Sequence, residues 1–162
     1  MNIGQVYLDK NDLDSAIEQD RRAIELDPSF PLAHQGLGLA YVRERRYEEA
    51  VAESQKAVEL SRRSSASLSC LGYEYAVMGR RAEALVILKE LQERYARRET
   101  DGQYLATLYA GLGDREQVFA WLEKDFQQHS GLLPDITWWG NFDDLRSDPR
   151  FADLVRRMGL QP

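Results

Sequence analysis

The chain has 162 residues, 43% of them hydrophobic and 30% charged, and its formal net charge is -6. That length suits one domain, compact or solenoid. The acidic balance argues against nucleic acid, which requires concentrated positive charge, and no stretch approaches the ~20 apolar residues that would span a bilayer.

Other bulk features narrow the class further. Five prolines favour helices over a loop-rich fold. The single cysteine, Cys70, has no internal disulfide partner and needs no oxidising compartment; its place before Leu71 in an apolar segment fits a small buried hydrophobe. The start, MNIGQVYLDK, has neither the basic region nor the apolar core of a secretory leader, so the expected location is cytoplasmic.

In chain order, Ile3, Tyr7 and Leu8 fall at helical spacing, and Asn11-Asp12 breaks the run. Leu13, Ala16, Ile17, Ala23, Ile24 and Leu26 then form a helical stripe that Asp27-Pro28 ends. A second pair follows: PLAHQGLGLAYVRER, with Pro31 suited to a first helical turn, and YEEAVAESQKAVELS. A third runs from Ser65 as ASLSCLGYEYAVMG and RRAEALVILKELQERYA, with Gly79 at the turn. A fourth, degenerate pair is DGQYLATLYAGLG and DREQVFAWLEKDFQQHS, with Gly113 in the place of Gly79.

These pairs keep one beat. Tyr7, Tyr41, Tyr75 and Tyr109 are spaced 34 residues apart. Gly4, Gly38 and Gly72 are followed by Ala106, and Ala16, Ala50 and Ala84 by Val118. A fixed period of this length predicts an array in which each helical hairpin buries its apolar face against its neighbours. Small residues at the Gly38 and Ala50 positions let paired helices approach, and the tyrosine fills the space left. The doublets Arg21-Arg22, Arg45-Arg46, Arg62-Arg63, Arg80-Arg81 and Arg97-Arg98 recur near the junctions. They are expected on a solvated outer face, compensating helix C-termini.

LGLAYVRERRYEEAVAESQKAVEL and NIGQVYLDKNDLDSAIEQDRRAIELDP resemble the tetratricopeptide repeat (TPR). Repeat one matches the pattern at Ile3, Gly4, Tyr7, Ala16, Ala23 and Pro28, and repeat two at His34, Leu37, Gly38, Tyr41, Ala50 and Ala57. Repeat three matches at Leu68, Leu71, Gly72, Tyr75, Ala84 and Leu88. Repeat four keeps Leu105, Ala106, Tyr109 and Leu122 but has Val118 and Asp125 where alanines are expected. The resemblance implies an all-α, right-handed superhelix of stacked antiparallel helix pairs. Residues 1–130 divide into repeats at about 1–30, 31–64, 65–98 and 99–130. Repeat one lacks the opening of its first helix: either the chain is cut from a longer array or that helix is short. An incomplete first hairpin would expose apolar surface and drive self-association.

Residues 131–162 leave the beat and are expected to form an aromatic linker and a capping helix. Asp148-Pro149 is a helix start, Phe151, Leu154, Val155 and Met158 share one face, and Gly159 can end it. FDDLRSDPRFADLVRRMGL is similar to a segment that closes TPR regions in bacterial signalling proteins, although Asp144 stands where proline is usual. Of the pair Trp138-Trp139, one is expected to pack on the last repeat.

Nothing in the sequence assembles a nucleophile with a base, a metal-ligand spacing or a phosphate loop, so no enzyme, metal or cofactor is expected. His34 fills the large-residue slot of its repeat and is read as packing; His129 is remote from it. In TPR proteins the first helix of each repeat lines the concave wall. By that resemblance the groove is Gln5, Leu8 and Asp9, then Gln35, Leu39, Val42 and Arg43, then Ser69, Tyr73, Ala76 and Val77, then Gln103, Thr107 and Ala110. Its apolar content suits an amphipathic helix or an extended apolar peptide. The clamp by which TPRs hold acidic chaperone tails needs Lys and Asn on this wall, which Gln5, Gln35, Gly36 and Ser69 do not supply. The expected function is a non-catalytic protein- or peptide-binding scaffold in a bacterial signalling or assembly complex, binding neither nucleic acid nor membrane. The alternative is a regulatory or oligomerisation module that pairs with another copy or packs on a missing N-terminal domain.

Overall fold

Short local signals set the helix boundaries in the computed structural model, which describes residues 12–128 and 140–159. Asp12 accepts from the Ser15 amide at 3.2 Å and opens α1, Leu13–Leu26. Asp27-Pro28 closes it, and Pro31 occupies the first position of α2, Pro31–Arg43. Next come α3, Tyr47–Leu60, and α4, Ser65–Val77, which Ser64 caps by accepting from the Ser67 amide at 3.2 Å. α5 spans Arg81–Ala96, α6 Gly102–Gly111 and α7 Arg115–Gln127. A 3-10 helix, Gly140–Leu145, precedes α8, Pro149–Arg157. There is no strand among the described residues.

Each tight turn inside a hairpin uses one left-handed residue. Arg45, Gly79 and Gly113 occupy equivalent places with φ of 60°, 78° and 75°. The amide two residues past each helix cap returns to a tyrosine carbonyl: Arg46 to Tyr41 and Arg80 to Tyr75, both at 2.8 Å, and Asp114 to Tyr109 at 3.0 Å. This bond satisfies a carbonyl that the helix end leaves open. The recurring tyrosine therefore contributes its backbone to the turn as well as its ring to the stack.

The rings join successive hairpins. Tyr41 and Tyr75 are buried and Tyr109 half-buried; Tyr7 lies outside the described residues. The Tyr41 hydroxyl accepts from Arg21 of α1 at 3.0 Å, Tyr75 from Gln55 of α3 at 3.1 Å, and Tyr109 from Gln92 of α5 at 3.2 Å. Each donor lies on the second helix of the preceding hairpin. Arg46 and Arg80 depart from the expected C-terminal compensation. They sit at the N-caps of α3 and α5, 4.1 Å and 4.5 Å above the Tyr41 and Tyr75 rings, and pair with Glu49 and Glu83 three residues on.

Small residues make the close approaches. A Cβ on Gly38 would lie 2.1 Å from Ser54 Oγ, and one on Gly72 would lie 2.5 Å from a Leu108 methyl. The apolar side chains form two clusters. One joins Ala16, Ile17, Leu37, Tyr41 and Ala50. The larger runs from Val58 and Leu68 through Leu105 and Leu122 to Phe142 and Val155.

The tail closes the array. Phe142 of the 3-10 helix is fully buried. Asp148 accepts from the Arg150 amide at 3.0 Å, and Phe151, Leu154 and Val155 of α8 are buried. Arg150 reaches Glu116 at 2.8 Å and lies over Phe119; Arg157, two turns on, reaches Glu123 at 2.7 Å and lies over Phe126. Trp138 and Trp139 lie outside the described residues.

Candidate peptide-binding wall

Helices α2, α4 and α6 pack in succession, so residues 34 apart stand side by side: Gln35, Ser69 and Gln103, then Leu39, Tyr73 and Thr107. Their burial differs. Val42 is 8% exposed, and Ser69, Gln103 and Thr107 are wholly buried, so these four form the floor rather than the surface. Gln35, Leu39, Arg43, Tyr73, Ala76 and Ala110 are half-buried, and Val77 is 44% exposed. Gln5, Leu8 and Asp9 lie outside the described residues. Tyr73 and Ala76 also pack on α6: a Cβ on Gly111 would lie 2.9 Å from the Tyr73 carbonyl oxygen and 3.1 Å from Ala76 Cβ.

The buried polar atoms fall into two groups. Ser69 donates its hydroxyl to the Ala66 carbonyl and Thr107 to the Gln103 carbonyl, each at 3.0 Å, and so both are satisfied within their helices. The Gln103 amide is different: neither its nitrogen nor its oxygen has a hydrogen-bond partner, and nor does the Gln35 side-chain oxygen. Leaving such a group desolvated costs ~1–3 kcal/mol; Gln103 is sealed in the floor, whereas half-buried Gln35 lies at the edge of the wall.

Three buried acidic or basic groups position the wall. His34 is 7% exposed, and its ring nitrogens meet Glu53 at 2.7 Å and the Pro28 carbonyl at 3.1 Å. It thus packs, as expected, and also ties the α1–α2 turn to α3. Asp125 of α7 accepts from the Gly102 and Gln103 amides at 2.7 Å and 2.6 Å, capping α6 from the neighbouring helix. Burial raises the Asp125 carboxyl above its usual range, and the two amides pull it back. Glu74 of α4 is fully buried, and burial pushes its carboxyl up to about 8. Its one hydrogen bond comes from Ser54 at 2.7 Å. Cys70 is buried, and its thiol is pushed up to about 12 by that burial.

Sequence reasoning missed three of these roles. Asp125 looked like a departure from the repeat pattern, but its carboxylate replaces the cap that Asp101 does not make. Arg46 and Arg80 carried a legible signal, a tyrosine five residues before and a glutamate three after, twice at the same period. Glu74 sits amid an apolar helix with no spacing that marks it.

Residues 4–44 match the family described as TPR repeat, and residues 32–64 match the one described as Tetratricopeptide repeat. The chain carries tetratricopeptide repeats. No curated protein matches it in sequence. TPRs generally serve as non-catalytic scaffolds for interaction between proteins. The second match covers the α2–α3 hairpin, and beyond it α4–α5 and α6–α7 keep the TPR plan of turn, tyrosine and paired helices. Among the described residues, no group of three His, Cys, Asp or Glu could hold a metal ion, and no helix is long and apolar enough to cross a membrane.

Proposed function

We propose that the wall formed by α2, α4 and α6 is the concave face of the array and holds an extended, apolar segment of another protein. The observation that carries this reading is half-buried Gln35, whose side-chain oxygen has no hydrogen-bond partner, on the same wall as Leu39, Tyr73 and Val77. An extended chain offers a main-chain donor to that oxygen and apolar side chains to the strip beside it. Four of the fourteen expected groove residues supply the floor of this wall, and its contact surface narrows to Gln35, Leu39, Arg43, Tyr73, Ala76 and Val77. A bacterial signalling or assembly complex remains the proposed setting, on the likeness of the 142–160 segment alone.

The test is capture of a peptide selected on the intact chain from a displayed library. Leu39→Ala with Tyr73→Ala weakens capture roughly 10- to 100-fold, as truncation of an anchoring pair does. Undiminished capture with intact helicity contradicts the assignment. A second reading, self-association, is favoured by Leu26, which is 89% exposed at the end of α1. Sedimentation distinguishes them: a monomer supports the peptide wall, and a dimer lost on Leu26→Ser supports assembly.

A further inference from the structure

The two apolar clusters divide within α3, Ala50 belonging to the smaller and Val58 to the larger, which continues across the junction to Leu68 and Leu71 of α4. Beside that apolar contact the same junction carries a buried polar one. Ser54 of α3 donates to Glu74 of α4 at 2.7 Å, and Gln55 of α3 donates to the Tyr75 hydroxyl at 3.1 Å. A Cβ on Gly38 of α2 would lie 2.8 Å from the same Glu74 oxygen, so α2, α3 and α4 all converge on this carboxyl. The other carboxyl oxygen, Oε2, is buried with no hydrogen-bond partner.

We infer that Glu74 makes the junction between the α2–α3 and α4–α5 hairpins a pH-responsive hinge, closed while the carboxyl is neutral and loosened when it ionises. The surroundings give an anion no support. On α4 the Cys70 thiol stands one turn earlier, raised by burial and then by the Glu74 charge, and the adjoining Tyr75 accepts from Gln55. On α3, Ser54 is flanked by Glu53, whose carboxylate is committed to His34. On α2, Gly38 faces Glu74 directly; His34 one turn before it holds Glu53, and Tyr41 accepts from Arg21. No ion pair reaches Glu74 among the described residues. An ionised carboxylate here must draw in water or separate the helices, because an unpaired buried charge is strongly disfavoured.

The direction in pH follows from the carboxyl's position. It rises from an ordinary 4.5 to about 8 on folding. Its contribution to stability is whole below the ordinary value and is lost as pH climbs from there through the folded one. Ionisation therefore sets in over the mildly alkaline range. Leu39, Val42 and Arg43 lie on one side of the seam and Tyr73, Ala76 and Val77 on the other. The consequence for a bound partner rests on the proposed peptide wall, whereas the hinge itself does not.

The test uses the full chain with spin labels at Glu48→Cys and Lys89→Cys, leaving the buried Cys70 untouched. Between pH 6 and pH 9 the distance distribution across the seam broadens, and the melting temperature falls by several degrees more than in Glu74→Gln, which cannot ionise. Ser54→Ala, which removes the one bond favouring the anion, moves the midpoint of that change to higher pH. Matching pH responses in the native chain and Glu74→Gln overturn the hinge. So does a carbon-13 titration placing the Glu74 carboxyl in the ordinary glutamate range, a measurement that stands even if Glu74→Gln fails to fold. Neither readout involves a peptide, so a failed wall and a failed hinge give separate results.

Discussion

At the scale of single residues, Gly38 carries a geometric demand as tight as that of any described glycine. A methyl there would overlap Ser54 Oγ at 2.1 Å and approach the Ala50 carbonyl at 3.3 Å. Gly38→Ala is expected to destabilise the chain by ~1–3 kcal/mol, the usual result of overpacking, read from a urea titration. Arg45 shows the opposite case. It holds φ of 60° where the equivalent turns have Gly79 and Gly113. A side chain in that conformation is strained by ~1–2 kcal/mol, so Arg45→Gly raises stability by up to about 1 kcal/mol once the looser unfolded chain is counted. A fall in the urea midpoint would show that the arginine side chain contributes more than its backbone costs. Tyr75→Phe keeps the ring and removes the acceptor for Gln55, which lowers stability by ~0.5–1.5 kcal/mol. Tyr41 and Tyr75 were legible from their period because bulk is what the stack requires of them. Glu74 was not, since a buried acid is recognised only by what surrounds it.

Between helices, caps and clasps decide which ends hold. α6 begins without a side-chain bond from its own N-cap residue, and Asp125 of α7 supplies two instead. Asp125→Ala removes both acceptors, and a loss of ~0.5–2 kcal/mol is expected, with faster hydrogen exchange at Gly102 and Gln103. Exchange unchanged at those two amides would count against the cap. α8 is fastened differently. Arg150 and Arg157 repeat one contact seven residues apart, each bridging a glutamate and lying over a phenylalanine of α7. Arginine pairing and the helix N-terminus both hold Asp148 below the usual carboxylate range, and Arg157 does the same for Glu123. Those contributions are present at neutral pH and lost as pH falls through the lowered values, so α8 is the first helix expected to loosen in acid. The start of α8 was readable from Asp148-Pro149, because capping is local in sequence. The clasp was not, because its halves lie 34 residues apart on different helices.

For the whole molecule, the period in the sequence specifies how one hairpin meets the next but not where the meeting is weak. The all-α plan and the paired helices follow from residues that every hairpin shares. The buried carboxyl at one junction follows from residues outside the shared pattern: Ser54 and Glu74 across from Gly38. The wall likewise divides. Its positions were placed by resemblance, but the burial of Val42, Ser69, Gln103 and Thr107 depends on how closely adjacent hairpins pack, which no single repeat encodes. In an array held by nearest neighbours, stability need not be lost in one step. Native-state hydrogen exchange of the intact chain, read amide by amide at pH 8, tests that most directly. Amides of α1 and α2 should open at lower free energy than those of α5 to α7, with the change falling at the α3–α4 junction. A single opening energy shared by helices α1 to α7 would contradict a chain of stacked hairpins divided at Glu74.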